Sequence, residues 1–120
     1  MRKVLIVDDA AFIRLSMKNI LEKNDFEVVG LAENGIMGVK LYMDTKPDIV
    51  TMDITMPKLS GINALIAIKK FDPNAKVIMV SAMGQEEMVR EAVLKGAKSF
   101  IIKPFNEEQL IKTLNKILPI

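Results

Sequence analysis

The chain has 120 residues, a net charge of +2 and is half apolar, which is the length of one domain with enough hydrocarbon to bury a core. It has no cysteine and no histidine, which excludes a disulfide framework, a zinc-thiolate site and nucleophile pairs that need an imidazole base. The charge is too mild for nucleic-acid binding, which needs a dense basic stripe; the first apolar run, Val4 to Val7, is too short for a signal peptide or a membrane span, so a reducing cytoplasm is the expected setting.

Val4-Leu5-Ile6-Val7 is a continuous apolar run, as in a strand buried on both faces. Asp8 and Asp9 follow, then a helical pattern with Ile13, Met17, Ile20 and Leu21 on one side. Asn24-Asp25 breaks it. Phe26 to Leu31 reads as a second strand, and Asn34-Gly35 as a turn into a helix whose inward stripe is Ile36, Val39 and Met43. That helix stops at Lys46-Pro47, because a residue before proline is pushed out of the α region. Asp48 to Met52 is the central strand, delivering Asp53 at its tip.

After Pro57 and Gly61 a third helix turns Ile62, Leu65 and Ile66 inward. Asp72-Pro73-Asn74 is a turn. Lys76 to Val80 is the fourth strand, ending at Ser81-Ala82-Met83-Gly84. Gln85 to Lys95 is a helix with acids in its first turn and Gly96 at its left-handed end. Ser99 to Ile102 is the fifth strand, followed by Lys103-Pro104. Asn106 to Gln109 resembles a capping box, and Leu110, Leu114, Ile117 and Leu118 form the last inward stripe.

Five strands alternating with five helices predict an α/β fold over residues 1–120: one parallel sheet covered on both faces. The C-terminal ends of the strands then share one rim, where open α/β sheets bind ligands. Asp8, Asp9, Asp53, Ser81 and Lys103 all arrive there from separate segments. Three carboxylates crowded together repel. A hard divalent cation relieves that, and without histidine or cysteine the choice is Mg²⁺, or Mn²⁺, rather than zinc. A cation, an ammonium and a hydroxyl around an aspartate suit a phosphoryl group. Asp53 is then either a metal ligand alone or a nucleophile that accepts the phosphoryl.

Four motifs stand in order: Val-Asp-Asp, Met-Asp-Ile-Thr-Met-Pro with Gly61 behind it, Ser-Ala-Met, and Lys-Pro-Phe. Together they resemble the receiver domain of two-component response regulators, and the wording around Asp9 and Ser81 is similar to the stand-alone chemotaxis members of that family. The resemblance implies a flavodoxin-like, doubly wound sheet in the order 2-1-3-4-5. It implies that Asp53 accepts a phosphoryl group from a histidine kinase. Asp9, Asp53 and the Thr55 backbone carbonyl would ligate Mg²⁺, with Asp8 holding a water of that ion. Lys103 would pair with the phosphoryl oxygens, its bond to Pro104 being cis. Ser81 would close on the phosphoryl, and Phe100 would follow it as the switch.

Three implications concern behaviour. The chain would be a phosphoacceptor that catalyses its own phosphotransfer, not a turnover enzyme. Thr55 and Met83, where the family tunes hydrolysis, cannot act as a base, so loss of phosphate is expected to be slow. The partners would be the kinase, a phosphatase, and a motor-switch or adaptor protein on the face of the fourth helix, fifth strand and fifth helix, met by a monomer. The bland alternatives are that Asp8-Asp9 is a polar strand end, that Phe100 is core and that the basic residues of the last third are a solvated surface. A Mg²⁺-dependent phosphatase would need a second acid where Thr55 stands, and a nucleotide module would need a glycine-rich phosphate loop that is missing. A phosphorelay intermediate, or a receiver cut from a longer transcriptional regulator, is the rival within the family.

Overall fold

The computed structural model describes residues 1–119. Strands and helices alternate without exception: β1 (Arg2–Val7), α1 (Ala11–Lys23), β2 (Phe26–Ala32), α2 (Gly35–Thr45), β3 (Ile49–Asp53), α3 (Gly61–Phe71), β4 (Val77–Ser81), α4 (Glu86–Leu94), β5 (Ser99–Ile102) and α5 (Glu107–Ile117). The strands are parallel and ordered β2-β1-β3-β4-β5. The fold is the flavodoxin-like one that the resemblance implied.

Strand alternation divides the core in two. Leu5, Val7, Val50, Met52, Val77 and Met79 point to the layer closed by α2, α3 and α4. Val4, Ile6, Ile49, Ile78 and Val80 point to the layer closed by α1 and α5, through Met17, Leu21, Leu110 and Leu114. A strand buried on both faces gains nothing from a polar residue on either. That is why its sequence reads as an unbroken apolar run.

Helix starts follow local chemistry. Asn34 Oδ1 accepts from the Met37 N–H at 2.9 Å, and Ser60 Oγ from the Asn63 N–H at 3.2 Å. The capping box is present at Asn106 and Gln109. Each satisfies a first-turn donor that the helix itself cannot.

Two stripes differ from expectation. In α2 the buried residues are Gly35, Gly38 and Tyr42, with Val39 packed against the core as expected, while Ile36 and Met43 face outward. The helix lies against β1 so closely that a Cβ at Gly38 would stand 3.0 Å from Val7 Cγ1. Backbone proximity, not a hydrophobic stripe, sets this contact, and a count of apolar spacings misses it. Tyr42 completes the face, donating its hydroxyl to Asp72 Oδ2 at 2.8 Å. Burial, then that bond, pushes the Tyr42 hydroxyl well above its usual range. In α3 the buried residues are Ile62, Ala64, Leu65 and Ile68, and Ile66 is partly exposed. The buried arc centres between Leu65 and Ile68, leaving Ile66 on its flank. At the end of α2, Lys46 is left-handed (φ 45°, ψ 63°), not extended, and its N–H bonds Tyr42 O.

Candidate functional site

β3 lies between β1 and β4, so Asp53 at its tip has the β1 end on one side and the β4 end on the other. The turn after it is pinned by Gly61, whose N–H bonds Ile54 O at 2.7 Å. Any Cβ at Gly61 would collide with the Asp53 carbonyl. Only glycine lets α3 start this close behind the aspartate.

Asp8 is held at the β1 tip by three bonds. Its N–H donates to Ala32 O at 3.0 Å. Its Oδ1 accepts from the Ala10 N–H at 2.9 Å, and its carbonyl accepts from Arg14 Nη1 at 2.6 Å. Lys103 follows β5, where its N–H bonds Ser81 O at 2.7 Å and its peptide to Pro104 is cis. The Lys103 ammonium lies 2.9 Å from Asp8 Oδ2 and 3.7 Å from Asp53 Oδ2.

Asp8, Asp9 and Asp53 each offer a carboxylate oxygen, all within 4.8 Å of one another. Asp8 and Asp53 are buried and Asp9 is exposed. One ammonium therefore faces three carboxylates. The Asp53 carboxyl is pushed up from 3.8 to about 7, chiefly by burial and then by the charge of Asp8; Lys103 pulls it down, and Asp9 raises it further. With all three ionised, the single Lys103 charge leaves the cluster with a surplus of two negative charges. Asp8 Oδ2 accepts no aligned hydrogen bond, its partner being the Lys103 ammonium. Oxygen-only donors with surplus negative charge fit a hard divalent cation.

Ser81 is buried at the β4 tip, paired with Ile102 across the sheet. From Ser81 and Lys103 a groove of about 670 Å³ runs outward past Val89 and Val93 to Phe100 and Ile102. Phe100 is 44% exposed, so it faces the groove and not the core. Thr55 lies in the loop after β3, where its Oγ1 accepts from Gln85 Nε2 at 2.9 Å. The expected rim residues Asp8, Asp9, Asp53, Ser81 and Lys103 are thus gathered. Arg14 and Gln85 were not anticipated. Arg14 acts through a bond to a backbone carbonyl and Gln85 reaches a residue 30 positions away, neither of which a pattern of residue types marks.

The family model for the response regulator receiver domain matches residues 4–115. The chain belongs to that family. This receiver domain is 57% identical over 116 residues to the chemotaxis protein CheY of Listeria monocytogenes, covering 97% of this chain and 98% of that one. It is 55% identical to the CheY of Thermotoga maritima, with 97% of each covered. A chain in the crystal structure of the CheX-CheY-BeF3-Mg²⁺ complex from Borrelia burgdorferi superposes with a TM-score of 0.93 at 39% identity, covering 98% of this receiver and 89% of that chain. The receiver is therefore closely related to CheY chemotaxis regulators. Among its described residues no helix is long and apolar enough to cross a membrane.

Proposed function

We propose that this receiver is a phosphorylation-activated chemotaxis regulator of the cytoplasm. The observation that carries the reading is the single Lys103 ammonium set between Asp8 and Asp53 amid three carboxylates. The Asp53 carboxylate oxygen attacks the phosphorus of a phosphohistidine on a partner kinase. A P–O bond forms, the P–N bond breaks, and its electron pair returns to the imidazole. Lys103 neutralises the arriving oxygens. Asp8, Asp9, Asp53 and the Thr55 carbonyl would hold Mg²⁺, or Mn²⁺, which supplies positive charge for the phosphoryl oxygens.

Phosphorylation gives Ser81 and Lys103 a partner that exists in one state only, and such differential contact is what moves a population. Ser81 closes on the phosphoryl and Phe100 follows within the groove. The face of α4, β5 and α5 then meets a motor-switch or adaptor protein. The receiver transfers one phosphoryl per activation and is not a turnover enzyme. Hydrolysis is slow, because neither Thr55 nor Met83 can orient water as a base, and a phosphatase resets the signal. The identity to CheY proteins of two bacteria supports the chemotactic setting.

The test is incubation with acetyl phosphate or beryllofluoride, with and without Mg²⁺, alongside Asp53→Asn. A Mg²⁺-dependent mass gain from acetyl phosphate on the native chain alone, with amide shifts at Ser81 and Phe100 under either reagent, is the expected result. Equal modification of Asp53→Asn, or a phosphoryl half-life of seconds at room temperature, contradicts the scheme.

A further inference from the structure

Gln85 stands at the N-cap of α4 but its side chain caps nothing there. Asn34, Ser60 and Asn106 each turn their side chain onto an N–H of their own helix. Gln85 reaches backwards and across instead. Its Oε1 accepts from the Ala82 N–H at 2.7 Å, and its Nε2 donates to Thr55 Oγ1 at 2.9 Å. A backbone N–H can only donate, which fixes the oxygen of the carboxamide on that side.

The two ends of this bridge matter. Thr55 is two residues past Asp53, and Ala82 is one past Ser81. One half-buried side chain therefore fastens the loop behind the phosphoacceptor to the loop that carries the closing hydroxyl. We propose that Gln85 is a positioning residue: a latch that holds the loop after β4 in its unmodified arrangement and releases the Ala82 N–H when Ser81 closes on a modified Asp53. The proposal rests on the phosphoacceptor reading above.

The covalent chain makes the coupling unavoidable. Ser81 and Ala82 share a peptide bond, so drawing Ser81 inward displaces the N–H that Gln85 holds. The strand before it is tied down, since Val80 O accepts from the Ile54 N–H and Ser81 O from the Lys103 N–H. The adjustment therefore falls on Ala82, Met83 and Gly84. All three are exposed, and Gly84 sits at φ 91° with open space where a Cβ would be. Little buried apolar surface holds this segment, so one side-chain bridge weighs heavily in its equilibrium.

The test uses the full chain as wild type, Gln85→Ala, Gln85→Glu and Thr55→Val. Amide hydrogen exchange at Ala82 is read before any phosphoryl analogue is added, and the beryllofluoride midpoint is read in Mg²⁺. Gln85→Ala is expected to speed Ala82 exchange and to lower the midpoint, each by about fivefold, the worth of one net hydrogen bond. Gln85→Glu keeps an acceptor for Ala82 and restores its protection. Thr55→Val removes the far end of the bridge and is expected to lower the midpoint, with Ala82 exchange between that of wild type and that of Gln85→Ala. Unchanged Ala82 exchange in Gln85→Ala, or a midpoint unchanged or raised, overturns the latch while leaving the receiver reading intact. A wild type that takes no beryllofluoride overturns both.

Discussion

Replacing Asp53 by asparagine should stabilise the metal-free protein, and by an amount that depends on pH. The carboxyl sits at about 7 in the fold against an ordinary 3.8. Burial and the charge of Asp8 are the leading causes. Below about pH 4 the group is protonated in both states and contributes no difference. Between about 4 and 7 the folded chain keeps a proton that the unfolded chain has released, so stability falls as pH rises. Above 7 the full penalty is in force. A carboxyl raised that far carries a penalty with a ceiling of about 4 kcal/mol. Relaxation and salt screening leave about 1–3 kcal/mol of it. Asparagine is neutral throughout and escapes this penalty. At about 4 °C of melting temperature per kcal/mol for a domain this size, Asp53→Asn should melt about 4–12 °C above wild type at pH 8 in EDTA. The advantage should vanish near pH 4 and shrink when Mg²⁺ is added to both. Thermal melts at pH 4, 6 and 8 measure it. A difference that does not change with pH, or a variant less stable than wild type at pH 8, would refute the electrostatic account of the site.

Two substitutions probe the rest of the cluster. Lys103→Met removes the ammonium that Asp8 and Asp53 share, so the Asp53 pKa should climb further and the metal-free protein should lose about 1–3 kcal/mol at pH 8. Urea unfolding checks this, and Mg²⁺ should restore most of the loss; a variant as stable as wild type in EDTA would show that the pair contributes nothing. Gly61→Ala places a methyl against the Asp53 carbonyl, so it should cost about 1–3 kcal/mol and displace the phosphoacceptor. A weakened beryllofluoride response together with a lower urea midpoint is expected, and a wild-type response would mean that the turn yields freely.

The elements were legible because each one announces itself locally. Val4–Val7 and Val77–Val80 are apolar runs with no polar position, which only a doubly covered strand tolerates. Asn34, Ser60 and Asn106 cap their helices through bonds to a residue three positions on. The rim residues were legible for a related reason: strand ends in a parallel sheet share an edge, so Asp8, Asp53, Ser81 and Lys103 converge once the strands are recognised. The strand order came from family resemblance, since alternation alone permits several windings.

What the chain alone determined, then, is which segments are strands and helices and which chemistry meets at the rim, because those depend on interactions a few residues long. What only the tertiary structure decided depends on how closely the segments approach. Gly38 against Val7 turned the inward face of α2 from Ile36 and Met43 to Gly35 and Tyr42. The Asp53 carboxyl near 7 arises from burial and from Asp8, a residue far away in sequence. The bond from Gln85 to Thr55 joins two loops across 30 residues of chain. Contacts over such separations are set by packing distances of a few ångströms, and no local pattern of residue types encodes them.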